Sequence, residues 1–344
     1  LGRFYICLLL FMTGMLGLVL SGKIIALFVF WELTRLSSYL LIGFNHSQPK
    51  ARASALQALL ITGGGGLALL AGLVLLGQVG GSWELSNLLT QDIVIQNHRL
   101  YLPIVLLFLL GAFTKSAQFP FHFWLPNAMS APTPISAFLH SATMVKAGVF
   151  LLARLFPALS GSFEWTLLVG GAGLLTLLLG AYTALFKHDL KGLLAYSTIS
   201  HLGLITLLFG IGTPLAAVAG VFHIMNHATF KASLFMAAGI IDHEAGSRDM
   251  RKLNGLWKYM PYTAVLAMVA AAAMAGVPLL NGFLSKEMFF AKTVYISTEG
   301  AIPWLPMFAT LAGAFAVAYS LRFIHDVFFN GEPIDLPKTP HEPP

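Results

Sequence analysis

The stretch AFTKSAQFPFHFWLPNAMSAPTPISAFLHSATMVKAGVFLLAR, residues 112–154, is predominantly apolar, yet it contains two lysines, Lys115 and Lys146. A charged side chain at the centre of a bilayer costs about 2.5 kcal/mol or more, even on a lenient insertion scale. Membrane proteins retain such residues where they face a wet interior and move ions. The stretch therefore predicts buried membrane helices around a path for protons or cations.

The composition of the whole chain supports this prediction. Of its 344 residues, 57% are hydrophobic and 10% are charged, whereas a soluble domain has roughly a quarter of its residues charged. The apolar runs have the length of membrane helices and lack the alternation of barrel strands. Cys7 is the only cysteine, which excludes disulfides within the chain. We predict an all-α integral membrane protein. The net charge of +6 is explained by basic residues in the loops between membrane helices, so we predict no nucleic-acid partner.

The apolar segments predict ten membrane spans, two of them interrupted. A half-helix at 285–297 is predicted after a break at Asn281-Gly282. The chain starts at Leu1 and ends abruptly after HEPP, so we expect a fragment of a longer polypeptide. The predicted spans are 4–21, 24–44, 53–78, 101–119, 133–156, 165–186, 190–211, 214–241, 261–282 and 303–328.

The distribution of lysine and arginine predicts the orientation of these spans. If the spans alternate, most of the basic residues fall in loops on one side, which is then cytoplasmic. The opposite loops contain three. The basic residues on the cytoplasmic side are Arg3, Lys50, Arg52, Lys187, Lys191, Arg248, Arg251, Lys252, Lys258 and Lys338, and those opposite are Lys23, Arg99 and Arg154.

Two spans share a local pattern. In LLGAFTKSAQFP (109–120) the run reaches Lys115 and is broken by Pro120, and in GVPLLNGFLSKE (276–287) a break precedes Lys286. The two copies are five spans apart, so the second enters the membrane from the opposite side. This layout predicts two inverted repeats with discontinuous helices at the working site.

Glu32 lies in the middle of the second span, and its sequence context leaves two interpretations open. A lone carboxylate at this depth predicts a gate that responds to Lys115 or Lys146. Alternatively, Glu32 forms a structural ion pair with Arg35, three residues later on the same helical face.

The lysines of the opening stretch predict proton carriers. A buried lysine can lose and regain a proton, and Pro120 frees carbonyl groups that can hold water near Lys115. The alternative for Lys115 is a side chain that reaches the interface from a helix end. About ten apolar residues separate Lys146 from either end of its span, which makes that alternative weaker for Lys146. His140 precedes it by six residues.

Three further candidates, His223, His227 and Lys231, are spaced four residues apart and therefore line one helix face. Imidazole accepts and passes protons near neutral pH, so the row predicts a relay. Packing and a metal pair are the alternatives, but a metal site needs further ligands, and we predict no metal and no cofactor. His201, among hydroxyl residues on another span, is a further candidate, although such hydroxyls commonly join membrane helices.

The remaining charges lie near span ends. Lys286 is a pathway candidate at the second break, although its neighbour Glu287 also suggests a structural pair. Lys191 is at a predicted cytoplasmic edge, where exposure to solvent suffices to explain it. The chain has no nucleophile with a base and no glycine-rich phosphate loop, which favours transport over bond-making chemistry. A lipid-modifying enzyme with a histidine box would need more than one HxxxH motif, and a purely structural scaffold would not need repeated buried lysines.

Several motifs together resemble one family. The chain resembles the proton-translocating antiporter-like subunits shared by respiratory complex I and the Mrp-type cation/proton antiporters. It looks most like the large A-type subunit of Mrp Na⁺/H⁺ antiporters in HSATMVKAG (140–148), NGFLSKEMFF (281–290) and the tail from 325 to 344. The shared motifs are FWELTRLSSYLLIGF (30–44), KSAQFPFHFWLPNAMSAPTPISAFLHSATMVKAG (115–148), HDLKGLLAYSTISHLG (188–203), FHIMNHATFKASLF (222–235) and NGFLSKE (281–287).

The resemblance implies a fold of two inverted five-helix repeats, residues 1–158 and 159–330, followed at 331–344 by the start of a cytoplasmic loop or C-terminal extension. It also implies that the chain begins at the family's fourth helix. Arg35 is a departure, since a small residue would be expected there. The family's functional positions correspond to Glu32, Lys115, Lys146, His223, His227, Lys231 and Lys286.

The function that the resemblance implies is that of a proton-conducting subunit of a multi-subunit Na⁺/H⁺ antiporter in the bacterial cell membrane. Its partners would be other membrane subunits, with Na⁺ and H⁺ as the transported ions. The alternative is a proton-pumping subunit of NADH-quinone oxidoreductase or of a membrane-bound hydrogenase, driven by redox chemistry elsewhere.

Overall fold

The computed structural model describes residues 2–298 and 302–343, and within these ranges the regular structure is helical. Two isolated β-bridges, Lys23–Glu84 and Asp189–Asp249, are the exceptions. The prediction of an all-α membrane protein is confirmed. The long helices are α1 (Gly2–Leu20), α2 (Ile24–Ile42), α3 (Pro49–Val79), α4 (Tyr101–Lys115), α5 (Lys146–Leu159), α6 (Gly171–Leu185), α7 (Leu190–Ile211), α8 (Pro214–Ala245), α9 (Pro261–Ala275), α10 (Asn281–Thr298) and α11 (Leu305–Ile324).

Each of the ten predicted spans contains one of these helices, but they differ in their capacity to cross a bilayer. In the described ranges, seven helical segments are long and apolar enough to do so by themselves. The helices α4 and α9 are apolar but only 15 residues long, less than a bilayer requires. Both are the first parts of discontinuous spans.

The two predicted discontinuities exist, with shifted boundaries. The helix α4 ends at Lys115, before the predicted end at 119, and a 3₁₀ turn follows at Phe121–Phe123. The helix α9 ends at Ala275, where Gly276 adopts a left-handed conformation with φ of 89°. A left-handed residue commonly terminates a helix. The second break spans 276–280 and includes Pro278, so it ends directly before the predicted Asn281-Gly282. Asn281 begins α10, which is a full helix and not the predicted half-helix at 285–297.

A third discontinuity was not predicted. The segment Thr133–Ser136 is followed by a π-helical turn, Ala137–Ala142, and the backbone leaves the helical region at Thr143. The helix α5 then begins at Lys146 itself. The expectation that ten apolar residues separate Lys146 from either end of a continuous helix is therefore wrong, and the lysine lies at a helix terminus.

The distribution of apolar and charged side chains is that of a membrane protein. Large apolar side chains such as Leu16, Leu67 and Leu266 face outwards, whereas lysines and histidines are buried in the core. Glycines bring α6 and α7 into close contact, because a Cβ on Gly203 would collide with the backbone of the neighbouring helix. Small residues at such crossings are typical of membrane helices, which rely on close backbone approach.

Candidate proton-conducting site

Lys115 lies at the C-terminal end of α4 and is completely buried. Its ammonium donates hydrogen bonds to Thr34 Oγ1 at 2.6 Å and to the Trp31 carbonyl at 3.2 Å. The same nitrogen lies 4.8 Å from the centre of the Trp31 indole ring, within the range of a cation–π interaction. The alternative of a lysine that reaches the membrane surface is therefore wrong.

Glu32 forms an ion pair with Arg35 and no hydrogen bond with Lys115, although its carboxylate lies within electrostatic range of that lysine. The Arg35 Nε donates to Glu32 Oε2 at 2.6 Å, and a guanidinium nitrogen forms an ion pair with the same oxygen. The other oxygen, Oε1, is buried and has no hydrogen-bond partner among the described residues. A glycine run in α3 leaves room for the pair, since a Cβ on Gly63 or Gly66 would crowd Arg35 or Glu32. The ion pair that the sequence left open is thus present.

Lys146 is the first buried amine along the chain that has a hydrogen bond to another titratable side chain. Its ammonium donates to the Ser141 carbonyl in the π-helical turn, and it shares a hydrogen bond of 2.6 Å with His227 Nδ1 on α8. The π-helical turn places the Ser141 carbonyl against the lysine, while α8 supplies the imidazole. A lysine and a histidine 81 positions apart in sequence are thereby joined in the core.

The start of α5, which contains Lys146, is hydrogen-bonded to a serine at the end of α4. Ser116 Oγ donates to the Val145 carbonyl at 2.6 Å and accepts from the Val149 N–H at 3.0 Å. Ser116 follows Lys115 directly, so its hydrogen bonds connect the ends of the two helices that contain the lysines, although the lysines share no hydrogen bond in the described structure.

The histidines form a stacked cluster between α7 and α8. His201 Nδ1 and His223 Nε2 are 2.9 Å apart, with ring planes inclined by 15°. The His227 ring centre lies 5.2 Å from that of His201, and Phe230 packs against all three rings. The predicted His–His–Lys row of α8 is therefore buried, and His201 of α7 packs against both of its histidines.

The cluster continues to α10 and α11 through two hydroxyl groups. His223 Nδ1 lies 2.8 Å from Ser285 Oγ, and the Tyr319 hydroxyl lies 3.3 Å from His201 Nε2. Each imidazole of this pair therefore has partners at both ring nitrogens, which fixes its orientation. Neither hydroxyl was predicted from the sequence, since Tyr319 lies in an ordinary apolar span and Ser285 directly precedes the more conspicuous Lys286.

Lys231 and Lys286 are two further buried amines of the second half. Lys231 donates to Ser197 Oγ and, at 3.4 Å, to the Leu194 carbonyl of α7. Lys286 donates to the Met274 and Ala275 carbonyls at 2.8 and 3.0 Å. Those carbonyls are C-terminal groups of α9, where the helix dipole favours a cation. Lys286 does not pair with Glu287, which is exposed.

His140, the remaining candidate, is buried in the π-helical turn beside Trp124, with ring centres 6.3 Å apart. Neither of its ring nitrogens has a hydrogen-bond partner in the described part of the chain. Pro120 and Asn281 flank the two predicted breaks, and Asn281 accepts a hydrogen bond on its carbonyl from Asn226 at 2.9 Å. Within residues 2–298 and 302–343, no group of three or more His, Cys, Asp and Glu side chains could hold a metal ion.

Together, the fold and the buried amines and imidazoles define a multi-pass membrane protein with titratable groups in its core. The chain belongs to the NADH:quinone oxidoreductase/Mrp antiporter transmembrane family, whose model matches residues 21–313. The resemblance seen in the sequence is confirmed.

Two curated relatives are similar to the chain over almost its whole length. The A/B subunit of a probable K(+)/H(+) antiporter of Rhizobium meliloti is 64% identical over 99% of this chain and 34% of its own length. The A-type subunit of the Na(+)/H(+) antiporter of Bacillus subtilis is 46% identical over 100% of this chain and 45% of its own length. The chain thus spans between a third and a half of these relatives, and their bacterial sources fit a bacterial cell membrane.

Two solved structures have the same fold. The Mrp complex from Dietzia sp. DQ12-45-1b matches with a TM-score of 0.89 and 45% identity, over 94% of this chain and 36% of that chain. The membrane-bound sulfane sulfur reductase, an archaeal respiratory membrane complex, matches with a TM-score of 0.85 and 29% identity, over 96% of this chain and 68% of that chain.

Proposed function

We propose that this chain is the proton-conducting membrane part of a multi-subunit Na⁺/H⁺ antiporter, a secondary active transporter and not an enzyme. The observation that supports this proposal best is the contact between Lys146 and His227 at 2.6 Å, buried between two membrane helices. A lysine that needed only to be neutralised would have a carboxylate partner. An imidazole partner can instead take the proton and release it elsewhere.

The proton would enter the cluster at Lys146 and pass to His227. Protons would then move between His227 and the adjacent pair of His201 and His223 through rotation of the rings or through water. The hydrogen bond from His223 to Ser285 leads to α10, where the neighbouring Lys286 stands at the second helix break. Lys231 of α8, whose ammonium is hydrogen-bonded to α7, would be a second amine that exchanges protons with the histidines.

The first half of the chain would control this movement. Lys115 would be the proton carrier at the first break, next to Pro120, and the mechanical link through Ser116 would couple it to the helix of Lys146. Glu32 would act as the gate, with Arg35 as the residue that holds its carboxylate. Asn281 would help to set the second break.

The arrangement in two inverted repeats, residues 1–158 and 159–330, remains part of the proposal. It is supported by the similar position of two lysines, since Lys115 ends one short, interrupted helix and the Lys286 ammonium binds the C-terminal carbonyls of the other. Other membrane subunits are proposed as partners, because the similar solved structure is a complex.

The redox-driven alternative is less well supported. The similar respiratory complex is 29% identical to the chain, whereas the similar antiporter subunits are 64% and 46% identical. We propose Na⁺ as the exchanged ion, and since one relative is named for K⁺, the test below uses both cations.

The proposal is tested by cation-driven proton movement in proteoliposomes that contain the complete antiporter. Lys146→Met should reduce the proton flux that follows a Na⁺ or K⁺ jump by about a hundredfold, within the range found for loss of a positioned proton carrier. Lys252→Met, an exposed lysine of the loop before α9, is the matched control and should retain full flux. Normal flux in Lys146→Met would contradict the proposal.

A further inference from the structure

Lys191, at the start of α7, is buried and not in a solvated loop as the sequence suggested. Its side chain is 3% exposed, and its ammonium donates to the Ala131 carbonyl at 3.2 Å. The loop after α8 closes over this end of α7, since the Leu190 N–H donates to the Arg248 carbonyl at 2.9 Å. The lysine is therefore internal, although it lies at the start of α7. The distribution of lysine and arginine in the loops predicts that this end of α7 is on the cytoplasmic side.

Asp242 connects this lysine to solvent. Its carboxylate lies 3.9 Å from the Lys191 ammonium and is 35% exposed. It lines an open cleft of about 560 Å³ together with Thr133, Glu244 and Lys338. A buried amine 3.9 Å from a carboxylate that lines a water-accessible cleft can exchange protons with the cytoplasm through a bridging water.

The other charges near Lys191 are already paired. Arg248 Nε lies 3.2 Å from Asp189 Oδ2, and Asp189 Oδ1 accepts a hydrogen bond from the Gly192 N–H at the start of α7. Asp189 therefore serves as the cap of α7, while Asp242 is the carboxylate available to Lys191.

Two buried polar side chains near Lys191, His140 and Ser130, have no hydrogen-bond partner among the described residues. His140 lies within electrostatic range of both Lys191 and Lys146, and neither of its ring nitrogens has a partner among the described residues. The Ser130 hydroxyl, next to Ala131, is likewise buried without a partner in these ranges. Buried polar groups of this kind are costly unless water satisfies them. The residues between Lys191 and His140 therefore suit a short internal water chain.

From this geometry, we propose that Asp242 and Lys191 form the cytoplasmic entry portal for protons that reach His140 and Lys146. This inference rests on the proposed function. In each step, the Lys191 ammonium loses one N–H proton to the His140 imidazole through water. His140 then passes a proton on to neutral Lys146 and returns to the neutral imidazole. The Asp242 carboxyl, protonated beforehand by a hydronium ion from the cleft, returns a proton to the neutral Lys191 amine and becomes a carboxylate again.

The decisive test compares arginine with methionine at position 191 in vesicles that contain the complete antiporter. Lys191→Met and Asp242→Asn should each lower proton flux from the cytoplasmic side by about tenfold or more, as expected for loss of a proton-transfer group. Lys191→Arg keeps the charge and the contact with Asp242, but a guanidinium does not release its proton. Its flux should stay low although the complex assembles and has normal thermal stability.

Two matched controls come from the same surface. Lys187→Met removes a neighbouring amine, and Asp189→Asn removes a neighbouring carboxylate while preserving a good helix cap. Both should retain flux within about twofold of the unmodified complex, a smaller loss than that of one proton-transfer group.

Two results would overturn the portal. Full flux in Lys191→Arg would show that the position requires only a charge, which is a structural role. Full flux in both Lys191→Met and Asp242→Asn, together with loss in Lys146→Met, would refute the portal and leave the proposed function intact. By contrast, normal flux in Lys146→Met would refute the proposed function itself and the portal with it.

Discussion

The Lys115 and Lys146 regions both place a buried lysine at a helix break, but the two lysines lie at opposite helix ends. Lys115 is the last residue of α4, where the negative end of the helix dipole favours its ammonium, as do a hydroxyl, a carbonyl and an indole ring. Lys146 is the first residue of α5, where the positive end repels an ammonium, and its side-chain partner is an imidazole. The ammonium form is therefore better stabilised at Lys115 than at Lys146, so we expect Lys146 to release its proton more readily.

Lys286 extends this comparison to the second half of the chain. Its ammonium, like that of Lys115, is associated with the C-terminal end of an interrupted helix, and two carbonyls of that helix hold it. The core therefore has two lysines whose ammonium groups lie at the C-terminal ends of interrupted helices, with the histidine cluster and Lys146 between them along the proposed path. Substitutions in the histidine cluster should consequently have larger effects on flux than substitutions of the residues that surround Lys115 and Lys286.

The strongest effect is expected from His227→Gln. Glutamine can still accept a hydrogen bond from Lys146, but it cannot take up and release a proton. Proton flux should fall by about a hundredfold, as expected when a proton-transfer group is lost. The exposed His243, on the same helix, provides the control in His243→Gln, which should retain flux. Equal flux in both variants would contradict the different roles assigned to them.

A smaller loss of flux is expected from His201→Phe. The ring volume is kept, but His223 and Tyr319 each lose a hydrogen-bond partner. Flux in proteoliposomes should decrease by about tenfold, less than the typical loss of an essential proton-transfer group, because His223 and His227 remain. Thr206→Val serves as the control on α7, since the buried Thr206 hydroxyl has no partner among the described residues. A larger loss in the threonine variant would indicate that α7 packing, and not the imidazole, determines flux.

Near Lys115, the substitution Arg35→Ala should affect the stability of the protein more than its proton flux. Removing the guanidinium leaves Glu32 as an unpaired, partly buried carboxylate, which we expect to cost about 1–2 kcal/mol because the pair is partly exposed. The free energy of unfolding of the purified complex is the measurement. Adding Glu32→Gln should recover most of the loss, since no unpaired charge then remains. If the double variant is less stable than Arg35→Ala, the ion pair is not the cause.

The smallest effect is expected from Tyr319→Phe. This change removes only the hydroxyl whose distance to His201 is 3.3 Å, a long hydrogen bond. The loss of stability should be about 1 kcal/mol, the usual net value of one hydrogen bond. Flux should stay within about threefold of the unmodified protein, since the bond lies beside the proposed path and does not transfer its proton. A loss as large as that of His201→Phe would place the hydroxyl in the path itself.

The sequence predicted the helices and most of the buried charges because burial of an ionisable residue in an apolar run leaves a clear local signal. Glu32, Lys115 and the α8 row were found in this way. The spacing of four residues on α8 also predicted correctly that His223, His227 and Lys231 share one buried face.

Other features depend on contacts that are distant in sequence and therefore have no local signal. The π-helical turn before Lys146 is set by the packing of the segment at 133–145 against α8. Lys191 is adjacent to a polar loop in sequence, and only the closure of the loop after α8 buries it. The Tyr319 hydroxyl becomes relevant because α11 packs beside the histidine cluster.

The central claim is that Lys146 and His227 act as one proton-transfer unit, and a double-mutant cycle tests it directly. Proton flux would be measured in proteoliposomes for Lys146→Met, His227→Gln and the double variant. If the two residues act together, the double variant loses no more flux than the more severe single variant. Losses that multiply would show that the two residues act independently, and the proposed transfer between them would be contradicted.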